Sequence, residues 1–264
     1  MEEVLNLDDN SKVINAIVAR AQFPRYIYKY TSINTLKLVL QSSKIKFSKP
    51  SEFNDPFDCN LTIETKCTDE EVEAYIRILN ANNNLTKEQI AELRIRFANP
   101  KELYEITNKS LKTAKEHFGV SCFSKINSNL LMWAHYADHH KGACLKFDIL
   151  EDTDFFITPL HIVYEKDYPK YNYITNREGI GKFLLETKSK DWEYEQEVRI
   201  MKEGSGFYKF KKDSLIEITF GVRTTNEERD RIISLKKENA FEKINFSICN
   251  QSKSKFELDI NKLQ

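Results

Sequence analysis

Glycine is scarce in this chain, with seven in 264 residues. None of the seven falls into G-x-G-x-x-G, G-x-x-x-x-G-K-[ST] or G-x-S-x-G, so the usual phosphate cradles and the serine elbow of hydrolases are excluded. Cysteine is also sparse. The five, Cys59, Cys67, Cys122, Cys144 and Cys249, are odd in number, scattered and never spaced C-x-x-C. A disulfide framework and a structural zinc site are therefore not expected, and buried reduced thiols are. Long apolar runs are missing, and nothing approaches the ~18 residues that span a bilayer. The opening MEEVLNLDDN is acidic and lacks the basic and apolar regions of a secretory leader. A cytoplasmic chain without a membrane partner is the expectation.

Net charge is missing as well. Forty Lys and Arg balance forty Asp and Glu. Such a balance argues against a partner held by a strong overall field, such as duplex DNA or an anionic membrane, while leaving room for a local basic patch. What is present is a well-solvated, length-sufficient chain with 30% charged residues and no internal repeat.

Periodicity predicts an α+β fold, taken as one domain over residues 1–264. A short helix is expected around Val13–Val18, then a strand at Tyr26–Tyr30. Thr31 or Ser32 caps a helix whose apolar side is Ile33, Leu36 and Leu40, and Ile45 and Phe47 mark a second strand. Thr68–Phe118 reads as helix throughout, an insertion between β segments. Its caps are legible: Thr68 with Glu71, Thr86 with Gln89, and Asn99 before Pro100. Three helices of this length are expected to lack a core of their own, and Gly119 reads as the stop after them. Later strands are expected at Val120–Ser124, Ala143–Phe147, Ile162–Val163, Trp192–Met201, Leu215–Phe220, Ile244–Cys249 and Phe256–Ile260. Helices are expected from Asn127 or Ser128, at Ile180–Lys188, and after Thr225 with Glu228.

Three stretches could carry chemistry. In DWEYEQEVRI a period of two places Trp192, Tyr194, Val198 and Ile200 on one face, with Gln196 the exception. Glu193, Glu195, Glu197 and Arg199 fall on the other. One reading is a solvated outer face with Arg199 paired to a glutamate. The other is a carboxylate pair, Glu195 and Glu197, aimed into a cleft for electrostatic and general-base work. In SEFNDPFD the Asn54-Asp55-Pro56 order favours a turn. It is either a rigid loop anchored in the core by Phe53 and Phe57 or a shaped loop at a pocket mouth. In MWAHYADHHKG, His135 and His139 are four apart, a spacing that suits metal ligands on a helix. The helix is short and no H-E-x-x-H accompanies it, so capping or hydrogen bonding is expected and metal is not. Trp133 and Tyr136 read as core.

Four ordered segments carry a resemblance: YIYKYTSINTLKLVLQSSKIKFSKPSEFNDPFD, GVSCFSKINSNLLMWAHYADHHKGACLKFD, KSKDWEYEQEVRI and LIEITFGVRTT. Together they resemble the bacterial family called domain of unknown function 2971, over roughly Tyr26 to Thr225. The chain also resembles, more distantly, the ADP-ribosyltransferases, including the DNA-modifying toxin group. That family has a strand ending in a basic or aromatic residue and Thr, and Tyr28-Lys29-Tyr30-Thr31 is similar, with Lys29 where histidine or arginine is usual. It has a Ser-x-Ser-like strand, and Ser121-Cys122-Phe123-Ser124 is similar. It has a Glu-x-Glu strand, and Glu195-Gln196-Glu197 is similar.

This resemblance implies a split, mixed β-sheet core, with Glu197 as the catalytic glutamate and Glu195 orienting the acceptor. It implies that Lys29, Tyr30, Thr31, Ser121 and Ser124, with Asn54 and Asp55 of the turn, hold NAD as co-substrate. Trp133, His135, Tyr136 and Arg199 would border the acceptor or the pocket. The acceptor would be nucleic acid or protein, in a toxin or phage-defence effector, with an antitoxin or regulator protein as a further partner. Two alternatives remain beside it. One is a metal-dependent nuclease using Asp55 or Asp58 with Glu197-x-Arg199. The other is a non-enzymatic module that binds a ligand or partner.

Overall fold

The computed structural model describes residues 7–157, 159–176 and 179–263, with side chains from Asn10 onward. The fold is α+β. In chain order it begins with α1 (Leu7–Ala19), β1 (Tyr26–Thr31), α2 (Ile33–Ser42), β2 (Lys44–Phe47) and β3 (Thr62–Glu64). Three helices follow, α3 (Asp69–Asn83), α4 (Lys87–Ala98) and α5 (Pro100–His117). Then come β4 (Phe118–Ser124), α6 (Leu130–Tyr136), β5 (Ala143–Asp148), β6 (Pro159–His161), β7 (Val163–Glu165), β8 (Lys170–Asn172) and α7 (Ile180–Glu186). The chain closes with β9 (Thr187–Ser189), β10 (Glu197–Glu203), β11 (Gly206–Lys209), β12 (Leu215–Phe220), α8 (Asn226–Glu238), β13 (Asn245–Gln251) and β14 (Leu258–Lys262).

These elements form two compact units. The first takes the chain up to Ser48, then Gly119–Ile162, and then everything from Asp191. The second takes Lys49–Phe118 and Val163–Lys190.

The first unit is built on an eight-stranded mixed sheet in the order β14-β13-β12-β5-β1-β4-β10-β6. The pair β12–β13 is parallel, and β1 runs antiparallel to both neighbours. Alternation along β1 sorts its side chains to two different packings. Ile27 joins the main core with Leu145, Phe147, Val198, Ile200, Ile218 and Phe220, under the apolar faces of α1, α2 and α8. Tyr30 and Cys144 instead meet Met132, Trp133 and Ala137 of α6. The sheet is continuous on one side of β1 and thin on the other. β1 faces β5 across six residue pairs, but it meets β4 at one, Tyr28 opposite Ser124.

The second unit has its own core. Val72 and Ile76 of α3, Phe97 of α4 and Leu103 of α5 close on Ile174, with Tyr75 and Tyr173 packed beside them. The three helices thus have a core of their own, contrary to the expectation from their length, because the stretch around Tyr173 and Ile174 completes it. Both capping boxes, Thr68–Glu71 and Thr86–Gln89, are formed, and Asn99 caps α5 with Pro100 at its first position.

Several local expectations need correction. Gly119 does not stop a helix but lies inside β4, where a Cβ would come within 2.0 Å of the Gly204 carbonyl oxygen. A close backbone approach, not a cap, requires it. The expected strand Trp192–Met201 begins only at Glu197. Lys190–Glu195 is a 3-10 turn, and Gln196 turns left-handed at φ 43°. Phe57 is 67% exposed and anchors nothing, while Phe53 is half-buried. His139 lies beyond the end of α6 in a run of positive φ, so it shares no helix with His135. Phe256 is exposed, and the last strand starts two residues later. The cysteines are all free, with Cys59, Cys144 and Cys249 buried. Burial pushes the Cys249 thiol up to about 12 and Cys144 well above its usual range, which keeps both protonated and unreactive.

Candidate functional site

The expected site residues of the first unit gather where β1, β4 and β10 lie side by side. Lys29 points to the opposite face of β1 from Tyr28 and Tyr30. Its amine donates to Ser121 Oγ at 2.9 Å and to the Cys122 carbonyl at 3.0 Å, and sits 4.9 Å from the centre of the Phe123 ring. These bonds fall where the β1–β4 register has already ended, so a side chain spans the gap that a ladder would otherwise fill. Burial lowers the Lys29 pKa, while Cys122 and the negative charge of Glu197 act to raise it.

The turn after β4 is held from several sides. Ser124 Oγ donates to the Glu195 carbonyl at 2.6 Å and accepts from the Ile126 amide. The Lys125 amide donates to the Gln196 carbonyl at 3.0 Å. Tyr30 donates its hydroxyl to the Ile126 carbonyl, and Trp133 its indole N–H to the Asn127 carbonyl, with the two rings edge to face at 5.3 Å. Asn129 then caps α6 through the Leu131 and Met132 amides. The cap is Asn129, not Asn127 or Ser128. These bonds fix the carbonyl face of the 3-10 turn and set the left-handed step at Gln196.

That step explains the carboxylates. Glu195 and Glu197 are each 3% exposed and Arg199 is fully buried, whereas Glu193 is exposed. A solvated outer face of three glutamates is therefore ruled out, and so is a single strand face bearing all of them. Glu195 Oε1 accepts a 2.5 Å hydrogen bond from the Tyr136 hydroxyl. Glu197 takes a fork from Arg199, Nε to Oε1 at 2.8 Å and Nη2 to Oε2 at 3.2 Å. Each buried charge has its own donor, which offsets part of the cost of removing it from water.

The remaining expected residues are placed as follows. Thr31 is buried and pairs with Ala143 at the end of β1. His135 is exposed, its ring 6.4 Å from Tyr194. Asn54 and Asp55 belong to the second unit, where Asp55 accepts from the Phe57 amide in a local turn. Asp58 of that unit is buried beside Lys188, 3.8 Å away. Among the described residues no group of three or more His, Cys, Asp or Glu is placed to hold a metal ion. No helix among them is long and apolar enough to cross a membrane.

The residues that sequence reasoning missed are mainly backbone. The carbonyls of Cys122, Ile126 and Asn127 anchor Lys29, Tyr30 and Trp133, and a carbonyl leaves no letter in a sequence.

The family described as Protein of unknown function (DUF2971) matches residues 132–200. The matched stretch, about a quarter of the chain, holds Trp133, Tyr136, Glu195, Glu197 and Arg199, and it overlaps two of the four segments that carry the resemblance. Neither a curated protein nor a solved structure matches the chain.

Proposed function

We propose that this chain transfers ADP-ribose from NAD to a macromolecular acceptor, nucleic acid or protein, in the manner of a toxin or defence effector. One observation carries the reading. The strands bearing the three motifs are consecutive neighbours in the sheet, β1 beside β4 beside β10. Side-chain chemistry links them as well, through Lys29 to Ser121 and through the charge of Glu197 acting on Lys29.

In the reaction the bond from the ribose anomeric carbon to nicotinamide breaks, and its electron pair leaves with nicotinamide. Positive charge grows on the sugar, and the fixed negative charge of Glu197 stabilises it more than it stabilises the ground state. A carboxylate offers roughly four acceptor directions. Arg199 takes two of them. The acceptor's lone pair forms the new bond, and Glu195, oriented by Tyr136, receives its proton.

The test uses three isosteric variants of purified protein, with NAD turnover and label transfer to cellular protein and nucleic acid as readouts. Glu197→Gln is expected to lose transfer by orders of magnitude, since an amide supplies no charge to the cationic transition state. Glu195→Gln is expected to reduce transfer while sparing slow NAD hydrolysis, and Glu193→Gln to change little. Equal activity in wild type and Glu197→Gln ends the proposal.

A further inference from the structure

The neutral net charge hides a strong segregation. Residues 10–51 contain eight Lys or Arg and no Asp or Glu. Residues 204–212, GSGFYKFKK, hold three lysines and again no acid. The fold pairs these two acid-free segments, because β2 and β11 form a two-stranded antiparallel ribbon with Phe207 opposite Lys46 and Lys209 opposite Lys44. Alternation gives the ribbon two unlike faces. Ile45 and Phe47 are buried, and Tyr208 lies edge-on to Phe47 at 5.0 Å between ring centres. The outward face is Lys44, Lys46, Phe207 and Lys209, all exposed.

Two features of that face point to a polyanion with flat bases. Like charges directly opposite on paired strands are destabilising, yet Lys44 faces Lys209, and neither strand contains an acid to relieve them. Phe207 is 68% exposed in the middle of the lysines. A cationic track with an exposed ring is the arrangement that binds phosphates while stacking a base. A bilayer surface would be met by a wider apolar face than one ring. The neighbouring Lys211 lies beside Asp152 and Asp154 and Lys212 at the Asn239 carbonyl, and neither belongs to this face.

We infer that the β2–β11 ribbon is a docking surface for single-stranded nucleic acid, with Lys44, Lys46 and Lys209 on phosphates and Phe207 stacked on a base. The inference does not rest on the transferase reading.

The experiment is fluorescence anisotropy of full-length protein with labelled single strands, DNA and RNA, of about a dozen nucleotides. Duplex of the same length, a polyglutamate peptide and phosphatidylserine vesicles run beside them. Wild type is expected to prefer single strands, with a log–log salt slope of about −2 for three phosphate contacts. The charge reversal Lys44→Glu/Lys46→Glu/Lys209→Glu is expected to lose affinity by tenfold or more and to flatten that slope. Phe207→Ala is expected to lose at least fivefold with the slope unchanged. Lys255→Glu, an exposed lysine away from the ribbon, controls for charge alone. All four ribbon positions are exposed, so melting temperatures should stay near wild type, and circular dichroism checks this. Equal binding by the charge-reversed protein overturns the inference. So does equal or tighter binding to duplex, peptide or vesicles. Glu197→Gln should bind strands like wild type, so loss of transfer with intact binding bears on the catalytic proposal alone.

Discussion

Arg199 and Arg94 make the same bond in different surroundings. Each places a guanidinium fork on a glutamate, Glu197 in the first unit and Glu73 in the second. The Arg199 and Glu197 side chains are 0% and 2% exposed, those of Arg94 and Glu73 54% and 36%. Water can replace either partner of the outer pair as soon as it is lost. Nothing comparable reaches the inner one. The difference teaches that residue identity and spacing describe a fork, while burial decides whether the fold depends on it.

The largest expected effect breaks the inner fork. Arg199→Ala leaves Glu197 buried without its cation and should destabilise the protein by roughly 3–5 kcal/mol. That corresponds to a fall in melting temperature on the order of 10 °C. Arg94→Ala should leave the melting curve where it is, since exposed pairs contribute little. Equal losses in the two variants would show that burial is not what separates them.

Next in size is Tyr136→Phe. It removes one donor from the buried Glu195 carboxylate and keeps the ring, at a cost of roughly 1.5–3 kcal/mol, as for hydrogen bonds to charged groups. Urea unfolding measures it. A neutral result would mean that Glu195 draws its stabilisation from other partners.

The smallest effect concerns pH. Burial lowers the Lys29 pKa from its ordinary 10.5. Between the lowered native value and 10.5, the unfolded chain holds this proton and the folded chain has released it. Stability attributable to Lys29 therefore rises with pH across that window and is flat above it. Lys29→Met should remove this component from a series of urea melts run from neutral pH to about 10. A variant whose pH dependence matches wild type would place the lysine amine in water.

Helices were the most legible part of the molecule. Thr68, Thr86, Asn99 and Thr225 each announce a start through a side chain that caps locally, and each cap is formed. Strands with plain alternation, such as Leu215–Phe220, were legible to the residue. The candidate site was legible only as a set of letters. Period-two reading put Glu195 and Glu197 on one strand face, and it failed because Gln196 takes a left-handed conformation. That conformation is imposed by tertiary bonds from Ser124 and Lys125, about seventy positions away, and local propensity carries no trace of it. Phe57 misled for the opposite reason, since an aromatic beside a tight turn suggests an anchor but nothing packs over it. The basic ribbon escaped notice because charge was counted over the whole chain, where forty balances forty.

The sparse contact between β1 and β4 has a mechanical meaning. Parting β1 from β5 means unzipping a row of backbone bonds along six residue pairs. Between β1 and β4 there is one register pair and the reach of a lysine. A neutral amine still has two N–H groups, enough for both Ser121 and Cys122, so the link survives loss of the proton. The sheet is in effect two plates riveted at a few points, one ending at β1, the other carrying Glu197 and Arg199 on β10. Load on the molecule should concentrate along that line of rivets, and the plates themselves should move as rigid pieces.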